Sequence, residues 1–231
     1  MYIHGQQGVV PDLWILMTSR KLLWLIPLVL YLAFVYWYTN TGGPLKPEEI
    51  RSFTQKATEA GFQSDWIEPI HAFMSSDTGR QFFMVNAIDL NEDPPDVEGA
   101  DPGETAMQLL GRYMKYMYPA MFRRASHPVF LASAVNTSLD LVGIEGAEEW
   151  NLVVVMRYRS RRDLLEIVTN PEFLDRHNFK IAALTKTIAY PTESEIYMSD
   201  PRFLLALILV ALLALIDIVV VGRRHLKVGG G

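Results

Sequence analysis

The chain has 231 residues, half of them hydrophobic and 20% charged, with no cysteine and a formal net charge of −5. That length holds one folded domain plus something else, or two small domains, and the composition excludes collagen, coiled coil and a disordered chain. The lack of cysteine excludes disulfides, thiolate nucleophiles and Cys-ligated zinc or iron–sulfur sites, and a mean hydropathy of +0.12 beside 26 acids and 21 bases requires the apolar residues to be concentrated somewhere.

They are concentrated in two segments. Residues 22–38 (LLWLIPLVLYLAFVYWY) carry no charge, and residues 203–221 (FLLALILVALLALIDIVVV) carry one, Asp217. At about 1.5 Å per residue these reach roughly 25 to 29 Å, close to the ~30 Å hydrocarbon core of a bilayer. Tyr36, Trp37 and Tyr38 suit a headgroup interface, and Pro27 is tolerable in a membrane helix. A cleaved signal peptide is the rival for the first segment, but the run exceeds a usual h-region and no A-x-A site follows it. Arg20 and Lys21 before the first span, with Arg223, Arg224 and Lys227 after the second, predict that both termini are cytoplasmic. Residues 1–21 and 222–231 are then cytoplasmic segments. The region between the spans lies outside, in the periplasm of a bacterial inner (cytoplasmic) membrane, and the lipid bilayer is the first expected partner. Residues 39–201 hold 15 Lys and Arg against 24 Asp and Glu, a net of −9, so nucleic acid is not an expected partner. Asp217 reads either as an intramembrane functional acid or as a side chain near the inner interface.

A hinge at Gly42-Gly43-Pro44 opens a helical lead-in, 39–79. Pro47 to Ala60 reads as a helix with Pro in the first turn, acids after it and Gly61 as its stop. Ser64 to Met74 reads as a second, with Ser64 as N-cap and Trp66, Ile67, Ile70 and Phe73 at helical spacing. Residues 80–193 then give a strand at Phe82 to Leu90, a helix at Glu104 to Ser126 and a strand at His127 to Thr137. A strand at Glu149 to Arg159 follows, then a helix from Ser160 that breaks at Asn170-Pro171 and resumes to Ala183, and a strand at Thr185 to Pro191. A stripe of Leu110, Met114, Met117 and Met121 marks the buried side of the first of these helices, and Met107 extends it as a possible pocket wall. Residues 194–202 are a linker. The fold class is α+β, a ferredoxin-like β-α-β-β-α-β domain inserted between two transmembrane helices.

Residues 148–192 (EEWNLVVVMRYRSRRDLLEIVTNPEFLDRHNFKIAALTKTIAYPT) resemble the second half of the dimeric α/β-barrel superfamily. There a strand ending in Tyr-x-Ser leads into a helix, a Pro-acid-aromatic break and a last strand. FFMVNAIDL and the helix ending in ASHPVF resemble the first half. The likeness spans 80–193 and points to uncharacterised members near the antibiotic-biosynthesis monooxygenase and stress-responsive groups. It implies a homodimer in which two four-stranded sheets pack face to face. The superfamily includes cofactor-free oxygenases, haem-degrading enzymes, isomerases and members without known activity, so it implies fold more than function.

Arg157, Arg159, Arg161 and Arg162 crowd the end of the third strand. Alternation puts Arg157 and Arg159 on one face and Tyr158 on the other, so two guanidiniums could grip a carboxylate or phosphate, or pair instead with Asp89, Asp163 or Glu166. Asn86 is polar inside an apolar strand, either satisfied in the sheet or part of a pocket. His71, His127 and His177 lie on separate elements without metal-ligand spacing, and His177 is the best catalytic candidate because the related helix lines the pocket in similar folds. The acidic loop 89–104 lacks the calcium-loop spacing and reads as solvated. Two expectations follow. The first is an accessory, assembly or interaction module of a membrane complex, as a homodimer or bound to other membrane subunits. The second is a cofactor-free or haem-related monooxygenase- or isomerase-like enzyme, with Arg157, Arg159 and Tyr158 holding a small apolar or aromatic acid and His177 with Asn86 doing the chemistry. No cofactor is predicted, haem being the weak exception.

Overall fold

The computed structural model describes residues 10–62 and 64–228. In chain order the elements are α1 (Val10–Tyr38), α2 (Pro47–Glu59), α3 (Ser64–Ser75), β1 (Phe82–Leu90), α4 (Ala106–Phe122), β2 (His127–Ser133), β3 (Leu152–Tyr158), α5 (Arg161–Val168), α6 (Pro171–Ala182), β4 (Leu184–Thr192) and α7 (Pro201–Val228). The contacts divide the chain into two compact units, one made of residues 1–37 with 196–231 and the other of Tyr38–Glu195.

The first unit is helical. The windows Lys21–Tyr38 and Pro201–Val219 are long and apolar enough to cross a membrane, with mean hydropathies of 1.6 and 2.7. Only 6% of each window is buried, whereas the core helix of a soluble protein would be mostly covered. Helix α1 begins at Val10, so it runs unbroken through the Arg20-Lys21 pair rather than starting after it. The Tyr31 hydroxyl donates to the Arg202 carbonyl at 3.1 Å.

The second unit carries a four-stranded antiparallel sheet in the order β2-β3-β1-β4, which with the element order is the ferredoxin-like plan. Strand β1 spans the predicted residues, since FFMVNAIDL is rich in β-formers. β2 and β3 are shorter than predicted because residues 134–151 form a long connection. Helix α4 starts at Ala106 because Thr105 closes a capping box with Gln108. Its buried seam is Ala106, Leu109, Tyr113, Met117 and Met121. The predicted stripe through Leu110 and Met114 is therefore displaced by one residue over its first turns, and Met107 is exposed rather than lining a pocket.

The main core lies between that seam, α6 (Phe173, Phe179) and one face of the sheet, where Phe82 stacks on Tyr158 at 5.3 Å between ring centroids. A smaller cluster joins the lead-in to α5 through Leu45, Phe53, Met74 and Leu165. The predicted hinge at 42–44 is tied down. Asn40 Nδ2 donates to the carbonyls of Gly79 at 2.8 Å and Gly43 at 3.2 Å, and the Asp77 carboxylate accepts from Leu45 N at 2.8 Å. Gly79 has φ +74°, and a Cβ there would sit 2.7 Å from the Gly43 and Pro44 backbone, so only glycine lets these turns meet.

The face of the sheet turned away from α4 and α6 carries two apolar rows. Phe130, Val155, Val85 and Tyr190 align in one, and Ala132, Val153, Ala87 and Ile188 in the next. Phe130 and Tyr190 are half exposed.

Candidate functional site

Strand β3 ends in the run Arg157-Tyr158-Arg159-Ser160-Arg161-Arg162, and the fold gives each arginine its own partners. Arg157 is fully buried. Its Nε and Nη2 donate to Gln81 Oε1 at 2.9 and 2.8 Å, Nη2 also donates to the Tyr38 carbonyl at 2.9 Å, and Nη1 donates to the Ala125 carbonyl. The guanidinium lies 3.6 Å from the centre of the Tyr38 ring, a cation–π geometry. Arg159 forks onto Asp163 at 3.0 and 2.6 Å, and this hydrogen-bonded carboxylate raises the guanidinium pKa further. Arg161 donates to the carbonyl of Phe73 and to Ser76 Oγ, pairs with Asp77 at 3.5 Å and Glu193 at 3.2 Å, and covers the Phe73 ring. Arg162 forks onto Glu49 at 2.6 and 2.9 Å, and this guanidinium holds the Glu49 carboxyl at about 2.

Arg161 and Arg162 reach back to the lead-in and Arg157 to Tyr38 just before it, so the cluster fastens residues 38–79 to the strand end and to α5. Alternation placed Arg157 correctly. Neither Arg157 nor Arg159 stands as an open two-guanidinium grip, since the first is enclosed and the second is engaged by the carboxylate of Asp163, four residues on. Ser160 starts α5 as predicted, its Oγ accepting from Asp163 N at 3.1 Å. Tyr158 is buried in the main core on the opposite face, where burial drives its phenol pKa up.

Asn86 is satisfied within the sheet, its Nδ2 donating to the carbonyls of Met84 at 3.0 Å and Val154 at 3.2 Å. His177 packs between Phe173, at 5.1 Å between centroids, and Tyr113, at 6.1 Å. Its buried Nδ1 has no hydrogen-bond partner, and burial lowers its pKa to about 4. Lys180, one turn on, is also lowered by burial. The five predicted site residues are thus spread over separate environments: Arg157 with Tyr38, Arg159 with Asp163, Tyr158 in the core, Asn86 in the sheet and His177 between helices α4 and α6.

The residues that sequence reasoning missed are Tyr38 and Gln81. Tyr38 was legible only as an interfacial aromatic, yet its ring and carbonyl receive Arg157 and its hydroxyl lies 2.6 Å from His127 Nε2. His127 Nδ1 is 2.9 Å from the Pro128 carbonyl, which only accepts. Nδ1 therefore carries the proton in the neutral ring, and Nε2 accepts from Tyr38. The acidic loop is partly structural, because Arg112 gathers Glu104 and, at 2.9 Å, Asp101. Among the described residues no group of three His, Asp or Glu side chains is placed to hold a metal ion. A cavity of about 830 Å³ in the helical unit is lined by Trp24, Leu28, Tyr31, Leu209 and Leu213 among others. Another of about 210 Å³ in the sheet-bearing unit is lined by Arg112, Lys115, Tyr116, Glu172 and Arg176. Neither is lined by a predicted site residue.

No family model matches the chain, and no curated protein does. Solved structures do. A protein of unknown function from Rhodopseudomonas palustris is 18% identical, with 58% of this chain aligned to 95% of that one at a TM-score of 0.46. A dimeric ferredoxin-like protein of unknown function from Bacteroides fragilis is 13% identical, over 49% of this chain and 96% of that one, at 0.30. SnoaB, a cofactor-independent oxygenase from Streptomyces nogalater, is 11% identical, over 52% and 99%, at 0.31. The ferredoxin-like assignment stands on this chain's own strand order.

Proposed function

We propose that the chain is a membrane-anchored ferredoxin-like module that works as an accessory, assembly or interaction subunit of a membrane complex. In this reading the two apolar helices span a bacterial inner membrane, both termini are cytoplasmic and residues 39–201 face the periplasm. The basic residues flanking the apolar windows support that orientation. The module pairs through the open face of its sheet, and the observation that carries this is the pair of apolar rows. A sheet covered by its own helices on one side has eight apolar positions on the other that water alone would cover. The dimeric description of the Bacteroides fragilis protein fits that reading.

The enzymatic alternative needs a free arginine beside His177 and Asn86. Arg157 and Arg159 are instead committed to Tyr38, Gln81 and Asp163, and Asn86 to strand carbonyls, so the arrangement favours the interaction module. The test is the mass and cargo of the full chain purified in mild detergent. The expected result is a dimer that Val155→Glu converts to folded monomer. A wild-type monomer carrying one small apolar acid per chain, lost in His177→Ala, would overturn the reading. A reporter fused after Gly231, which lies outside the described residues, is expected to report the cytoplasm.

A further inference from the structure

Strands β2 and β3 are joined by residues 134–151, whereas hairpins commonly close with two to about five residues. The connection is built rather than loose. Ala134 N donates to Asn151 O and Ser138 N to Glu148 O, both at 2.8 Å, which continues the antiparallel pair beyond the sheet. Ser138 Oγ and Trp150 Nε1 both donate to the Ala147 carbonyl, at 2.8 and 2.9 Å, around a buried Ala147. Lys186 of β4 donates to the Gly146 carbonyl and lies 5.1 Å from the Trp150 ring.

An ordered surface arm is ordinarily polar, and this one is not. Val135 is 100% exposed, Leu139 90%, Val142 84% and Ile144 54%. Four exposed apolar side chains within residues 135–144 mark a surface that is covered by something else. The arm's charges narrow what that is. Asp140, Glu145, Glu148 and Glu149 face no Lys or Arg within 134–151, so an anionic lipid surface or a nucleic acid would be repelled. Its root lies at the Ser133–Leu152–Ile88 end of the sheet, opposite the His127–Arg157–Phe83 end where Tyr38 is held.

Continuity and area both point to a second copy of this chain. Lys186, which grips the arm, pairs in register with Asp89 and lies on the same open face as Ile188 and Tyr190. Four strands about 4.8 Å apart and about seven residues long present a face on the order of 400 Å². A stable interface needs about 800 Å² from each partner. The first figure is a flat footprint and the second an accessible surface, and the arm joined to that face through Lys186 adds apolar surface to it.

We infer that the arm at residues 134–150 packs against a second copy of this chain and completes the interface begun by the open sheet face. This rests on the dimer proposed above. The test uses the full chain in detergent or nanodiscs and reads the dimer dissociation constant by concentration-dependent energy transfer. Leu139→Ser combined with Val142→Ser and Ile144→Ser is expected to weaken the dimer by about a hundredfold or more. The melting of the diluted monomer should be unchanged, because the three side chains are exposed. A wild-type chain that is monomeric throughout overturns the dimer and the arm together. A wild-type dimer that the triple variant leaves intact, while Val155→Glu dissociates it, overturns the arm alone. Because the chain has no cysteine, Val142→Cys can carry a photoreactive label uniquely. A crosslink between two copies supports the inference, and a crosslink only to lipid or to a different protein overturns it.

Discussion

Replacing Arg157 by methionine separates a structural arginine from a ligand-binding one. The substitution keeps most of the stem's apolar volume and removes the guanidinium. It leaves the carbonyls of Tyr38 and Ala125 and the Gln81 side chain without this donor inside a fully buried site. Each stranded acceptor costs about 1–3 kcal/mol, and the lost stacking on Tyr38 costs up to about 2 kcal/mol. Release from the desolvation of a buried charge offsets part of this, so a net loss of about 3–5 kcal/mol is expected. For a unit of this size that lowers the melting temperature by roughly 10 °C. Arg157→Lys should fall between, since one ammonium cannot fork onto three acceptors. The assay is thermal unfolding of the full chain in detergent, with hydrogen exchange at Tyr38, Gln81 and Ala125. A methionine variant within about 1 kcal/mol of wild type would refute the reasoning. So would unchanged stability with loss of a bound anion, which would return Arg157 to the role of ligand holder.

The remaining expectations concern the same unit. Gly79→Ala should cost at least about 2 kcal/mol, because its positive φ and the nearby Gly43 and Pro44 backbone both oppose a side chain; an equilibrium melt checks it. The Glu49 carboxyl, held at about 2 by Arg162, adds stability that is present above its unfolded value of 4.5 and lost as pH falls from there toward 2. Arg162→Gln should remove that pH dependence and cost about 1 kcal/mol, since the pair is partly exposed, as read by amide exchange in α2 against pH. Ser160→Ala should cost about 1 kcal/mol by uncapping α5, visible as a lower denaturant midpoint with an unchanged slope. His177, depressed to about 4 by burial, stays neutral in the folded chain at pH 5, so stability should fall between pH 6.5 and 4 as the unfolded chain takes up the proton. His177→Phe should abolish that acid slope while leaving stability at pH 7 unchanged or higher, and a flat wild-type profile would contradict the assignment.

What the sequence made legible was local. β1 could be read to its ends because FFMVNAIDL is an unbroken β-forming run, and the start of α5 because Ser160 and Asp163 form a local cap. The Asn170-Pro171 start of α6 was legible for the same reason, Asn170 accepting from Glu172 N. The arginine cluster was legible as a cluster but not as a fastening, because its partners Tyr38, Glu49, Phe73 and Asp77 lie 80 or more residues away in the chain. The seam of α4 was misread by one residue at its start because Leu110 and Met114 are as apolar as Leu109 and Tyr113, so periodicity alone could not choose between adjacent stripes. The two ends of the arm, 134–137 and 149–151, were read as continuations of the flanking strands, since HPVFLASAV stays apolar through Val135 although pairing with β3 stops at Ser133.

The two ends of the sheet now have different characters, and this explains why the arginines sit where they do. At the Tyr38 end, three carbonyl-seeking or acid-seeking guanidiniums, the Gly79 turn and the Leu45–Phe53–Met74–Leu165 cluster fix the chain that follows α1 against β3 and α5. Charged, forked bonds are suited to that task, because each fixes direction as well as distance. At the other end the arm presents aliphatic side chains that are held in order but left uncovered. Apolar contact is suited to a surface that leaves water on association, because it needs no donor to be matched by an acceptor. A ligand-binding role for the arginines would require the first end to open, breaking the contacts that hold residues 38–79, whereas an interaction role asks only that the second end be covered.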